Sequence, residues 1–199
     1  MVEVLERILD VAAYVVEKYK ALTGTSPDEM KLHKLLYFIQ RAYLDIHDTP
    51  LFPEEFEGWR MGPVSREVRT VYCNGEISAD TKEISDYHKQ IVDKVIIEYG
   101  QYAGWKLSEL THKEISWQNA RKKLKPNENG NVPLKVEDII ADADRERPYD
   151  METYKEWLKL GEEDPYFNKS MCKDLAKAEK GIEMGRVIVK TMEELEDME

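Results

Sequence analysis

A mainly α-helical fold with a minor β element is the expectation for this sequence, and three observations carry it. Apolar residues recur at helical spacing through most of the 199 residues. Helix stops and starts punctuate that pattern, as at Gly24 followed by Ser26-Pro27. Only two short stretches, near 55–60 and at 186–190, read as strands. The length suits a compact multi-helix domain over 1–145, followed by an acidic helical extension over 146–199 that ends in a short strand and helix.

The elements follow in order. Leu5, Ile8, Leu9, Ala12, Val15, Val16 and Tyr19 form one stripe and predict a helix over 2–22 that stops at Gly24. Ser26 as N-cap, Pro27 as first helical residue and Glu29 closing a capping box predict a second helix. Its apolar stripe is Met30, Leu35, Leu36, Ile39, Tyr43 and Ile46. Phe52, Phe56 and Trp59 mark an aromatic stretch with one strand near 55–60, paired either elsewhere or with 186–190. Gly62-Pro63 predicts a turn and a helix start, with a helix to about 72, and Asn74-Gly75 predicts a further turn. Helices are expected over 85–102, 107–111, 117–123 and 136–144. Arg145-Glu146-Arg147-Pro148 is the candidate boundary. Beyond it, Asp150 can cap a helix through Leu160, and 168–180 reads as another helix.

Charge narrows the function. Net charge is −11, which opposes general binding to nucleic acid or anionic membranes and permits a basic protein partner. From Glu137 to Glu199 the chain carries 19 acidic and 10 basic residues, so most of the acidity sits in the last third. Arg121-Lys122-Lys123 with Lys125 is the one basic cluster, and it reads as a solvated helix face. The two cysteines, Cys73 and Cys172, lie far apart, and the N-terminus lacks a basic leader. Both point to a cytoplasmic protein.

No catalytic pattern stands out. His33, His47, His88 and His112 form no metal spacing, and no metal or other cofactor is expected. His33 reads as a helix-surface or packing residue, and His88 as solvated. His112 can be a general base or a residue that closes a helix C-terminus. No nucleophile elbow or phosphate-binding glycine loop is present, so the sequence does not support an enzyme. Trp59, Trp105 and Trp117 read as core residues at helix junctions. Trp157 lies on a polar helix and can contact a partner.

Three blocks, taken in order, resemble the Panacea domain, the SocA-like or phage-associated GepA-like antitoxin family. The first is Lys31-Leu32-His33-Lys34-Leu35-Leu36-Tyr37-Phe38-Ile39-Gln40, with Leu51-Phe52 soon after. The second is Phe56-Glu57-Gly58-Trp59-Arg60-Met61-Gly62-Pro63-Val64. The third is Leu107-Ser108-Glu109-Leu110-Thr111-His112-Lys113-Glu114, followed by Trp117. Ile115-Ser116 stands where many relatives carry a proline. The resemblance covers roughly 2–144.

The resemblance implies an antitoxin that binds a cognate protein toxin directly, with the toxin expected to be the product of an adjacent gene. The alternative is an adaptor that delivers the toxin to a ClpXP-type protease. It implies no catalytic residues. Lys31, Leu35, Tyr37, Gln40, Trp59, Gly62, Pro63, Val64, Thr111, His112 and Trp117 become fold-defining positions. A second, shorter echo covers 178–195, which is similar to the tails of RelB-like and Phd-like antitoxins. There Arg186, Val187, Ile188 and Val189 either add to a partner's sheet edge or pair within the chain.

Overall fold

The structure, a computed structural model, describes residues 5–146. The expectations for the extension, Cys172, Trp157 and 186–190 lie outside the described residues. Within them the fold is mainly α, as the sequence implies: seven helices and two small antiparallel two-stranded sheets. The helices are α1 (Ile8–Thr23), α2 (Glu29–His47), α3 (Arg66–Val71), α4 (Asp86–Tyr99), α5 (Gly104–Thr111), α6 (Ile115–Arg121) and α7 (Val136–Glu146).

Capping decides several boundaries. Helix α1 begins at Ile8 because the Glu54 carboxylate, from a distant loop, accepts the Ile8 amide at 3.1 Å. Leu5, expected on the apolar stripe, lies ahead of the helix and is exposed. At α2 the N-cap is Asp28, not Ser26: its carboxylate accepts the Lys31 amide at 2.8 Å. Ser85 caps α4 through the His88 amide. That places His88 inward, where Nδ1 meets Glu6 Oε1 at 2.6 Å and the ring meets the edge of Tyr43. The solvated reading of His88 is therefore wrong.

The strand expected near 55–60 is β1 (Glu57–Trp59). Gly62-Pro63 does not form a turn; it belongs to β2 (Gly62–Val64), which pairs antiparallel with β1 around Arg60-Met61. The other edge of β1 is closed from 132–134: the Gly58 amide donates to the Val132 carbonyl, and the Leu134 amide to Phe56. A second hairpin joins β3 (Tyr72–Cys73) to β4 (Glu76–Ile77). Asn74 and Gly75 both have positive φ, 51° and 83°, the geometry that Asn-Gly favours in tight hairpins.

Helix α2 is the axis, packed against α1, α4, α5, α7 and β2. Every residue from Lys31 to Arg41 is buried. Helices α6 and α7 dock on it through charge as well as apolar contact. Asp142 of α7, fully buried, accepts the Ile115 and Ser116 amides at the start of α6 and the Tyr37 hydroxyl of α2. Beside it the Arg41 guanidinium donates to Glu114 at 2.7 Å. Removing the Asp142 carboxylate strands the Ile115 and Ser116 amides and leaves the Tyr37 hydroxyl with Ser116 Oγ alone. Asp142→Ala is expected to cost on the order of 3 kcal/mol in denaturant unfolding. Glu98→Ala, on an exposed face, should stay within about 0.5 kcal/mol.

Candidate interaction site

The first sequence block supplies α2 with polar heads that act as clamps. Lys31 Nζ donates to the Tyr19 hydroxyl and the Gly100 carbonyl, tying the ends of α1 and α4 to the start of α2. Gln40 holds the Leu51-Phe52 loop from both sides: Nε2 donates to the Phe52 carbonyl, and Oε1 accepts the Leu51 amide. Leu35 is wholly enclosed in the core, and Tyr37 reaches Ser116 and Asp142. Lys34 Nζ donates to the Pro63 carbonyl at 2.8 Å. This is why Gly62 stands where it does. Its φ is 102°, and a Cβ there would lie 2.4 Å from Lys34 Cε and 2.5 Å from Thr111 Oγ1. Val64 and Thr111 are buried alongside.

Trp59, His112 and Trp117 meet at the surface instead. His112 occupies the C-cap of α5, and its imidazole stacks on Trp117 at 4.1 Å and 16°. Trp117 Nε1 donates to the Trp59 carbonyl, and the Arg121 guanidinium lies over the Trp117 ring at 5.2 Å. Trp59 in turn carries Arg69 over its own ring. His112, Trp117 and Arg121, with Arg60 and Met61, wall an open cleft of about 580 Å³ between the β1–β2 turn, α6 and the loop after it.

The cleft is built rigidly. Arg121 donates to the carbonyls of Gly58, Lys125, Pro126 and Glu128, so one buried side chain fixes strand β1 and the loop together. Ser108 Oγ donates to the Met61 carbonyl and holds the β1–β2 turn. Arg121 is thus a structural clamp rather than part of a solvated basic face. Lys122, Lys123 and Lys125 are exposed, as a solvated face requires.

Residues 32–118 match the family described as antitoxin SocA-like, Panacea domain. That stretch is thus similar to the SocA-like Panacea domain. No curated protein and no solved structure matches the chain. The match supports an antitoxin-type role and, in general terms, a protein toxin as partner. No helix among the described residues is long and apolar enough to cross a membrane.

Set against that domain, the chemistry of His112 is that of a packed ring. Its contacts are Trp117, the Ser108 hydroxyl and the Arg60 backbone, and burial lowers its proton affinity. Trp105 corrects another expectation: it is 60% exposed on α5, not part of the core. Sequence reasoning missed Arg41, Ser108, Arg121 and Asp142. Only Asp142 carried a visible signal, a carboxylate beside Ile139 and Ala143 on the apolar face of α7.

Burial also sets the pH response of the core. It lowers the His33 imidazole to about 3, helped by the charges of Lys34 and Arg69, and the Lys34 amine to about 7. In the unfolded chain these groups bind protons at about 6.5 and about 10.5. Over each interval the unfolded state holds more protons, so stability rises with pH. Thermal melts are expected to show a rise from about pH 3 to about 6.5 and another from about 7 to about 10.5. In Lys34→Met the second rise should flatten, while the first remains.

Proposed function

We propose that the chain is the antitoxin of a toxin–antitoxin pair and neutralises a cognate protein toxin by direct, stoichiometric binding in the cytoplasm. The observation that carries this reading is the Panacea match over 32–118. The geometry supports it. The family-motif residues that reach the surface form a braced concave face, while the remaining motif residues serve the core. Such a face suits binding, because a partner docks on it without first ordering loops. Sequestering a toxin takes an interface of about 1,200 Å² or more, and a Kd near 1 nM corresponds to about −12 kcal/mol.

The test is co-expression with the product of the adjacent gene, followed by purification. The neighbour is expected to arrest growth alone, to be harmless with the full chain, and to elute with it in a fixed stoichiometric complex. A neighbour that is harmless alone, or toxic but not bound or neutralised, would contradict the reading. So would rescue that depends on a ClpXP-type protease, with toxin levels falling and no stable complex.

A further inference from the structure

The cleft bounded by Arg60, Met61, His112, Trp117, Arg121 and Lys125 has an unusual charge for this protein. No Asp or Glu lines it. Residues 101–136 carry seven Lys or Arg against three Asp or Glu, in a chain whose net charge is −11. Those three carboxylates are already committed. Glu109 pairs with Lys106, Glu114 is buried against Arg41, and Glu128 accepts the Lys125 amide. Glu109 and Glu128 offset part of the positive charge near His112 and Arg121, and the stretch keeps a net positive charge while no carboxylate lines the cleft itself.

Its shape is equally specific. Met61 is 40% exposed on the β1–β2 turn, and Leu124 is half-buried on the opposite wall. Trp117 lines the cleft with them, and its ring carries both the His112 stack and the Arg121 guanidinium. The lining therefore combines the apolar Met61, Leu124 and Trp117 with Arg60 and Lys125, whose cationic side chains are exposed. Apolar centres with polar rims are the anatomy of protein interfaces, and anchors in preformed pockets carry most of the binding energy.

We propose that this cleft receives a segment of the protein partner that carries an apolar anchor flanked by carboxylates. The anchor packs on Met61, Leu124 and the Trp117 edge, and the carboxylates meet Arg60 and Lys125. The proposal rests on the toxin-binding reading above and names the surface that this reading leaves open. Charge complementarity selects the occupant. A short acidic segment needs only the local field, which acts within about 8 Å at physiological salt. A nucleic acid needs a long run of phosphate contacts, and the net charge opposes it.

The test uses the full chain and the toxic partner identified by co-expression, with Kd measured by calorimetry after nuclease treatment. The double variant Arg60→Glu with Lys125→Glu is expected to weaken binding roughly tenfold or more. Lys20→Glu on α1, which contributes nothing to the cleft, should stay within about twofold. Reversing the partner's contacting carboxylates to lysine should restore affinity to the double variant. In parallel, methionine-methyl NMR of the wild-type chain should show the Met61 resonance shifting on binding. A double variant that binds within about twofold of wild type, with an unmoved Met61 signal, would overturn the cleft while leaving toxin binding intact. Binding that vanishes with nuclease would overturn it in favour of a nucleic acid. If the wild-type chain binds no toxin, the antitoxin reading itself falls and the cleft proposal falls with it.

Discussion

The architecture depends on burying α2 on every side. Eleven consecutive residues, Lys31 to Arg41, are buried, and five of them carry strong polar heads: Lys31, His33, Lys34, Gln40 and Arg41. A helix of that composition can sit at the centre only if those heads find partners, since an unsatisfied buried polar group costs about 1–3 kcal/mol. Surrounding elements answer four of the five, while His33 accepts the Ser65 amide at Nδ1 and has no hydrogen-bond partner at Nε2 among the described residues. Tyr19 and Gly100 meet Lys31, Pro63 meets Lys34, the Leu51-Phe52 loop meets Gln40, and Glu114 with Tyr99 meets Arg41. The polar heads thus set the positions of the neighbours, and the apolar side chains of the core fill the space between.

The same requirement reaches the surface cleft in two steps. Lys34 fixes the Pro63 carbonyl, which sets β2 and, through the hairpin, the Trp59 backbone. Trp117 and Arg121 then hold β1 from the other side, through the Trp59 and Gly58 carbonyls. A surface supported in this way is held from both sides by the fold itself. Substitutions deep in α2 should therefore disturb recognition without touching the partner, acting through the hairpin.

The helical character of the chain was legible in its apolar spacing, as were α1, α2, α4 and α7 and the Asn74-Gly75 turn. What escaped detection has a common physical origin. Lys31, His33, Lys34 and Arg41 fall on what looks like the outer, solvated face of an amphipathic helix. Nothing in the periodicity says that other helices will cover that face. Arg121 sits in a run of basic residues and looks like Lys122 and Lys123. Only the approach of the Gly58, Pro126 and Glu128 carbonyls distinguishes it. The Gly62-Pro63 pair reads as a turn because both residues favour turns; the positive φ at Gly62 serves instead a close approach to Lys34. The Panacea blocks were recognisable as a set because several members each answer a different packing demand in one structure.

Helix α2 is the element on which the rest of the described fold is ordered. Native-state hydrogen exchange of the full chain reads this out. The amides from Leu35 to Ile39 are expected to exchange only through global unfolding, with an exchange free energy equal to that of denaturant unfolding. If these amides instead open locally, at a clearly lower free energy than the rest of the core, α2 is not the keystone, and the clamps described here do not hold the fold together.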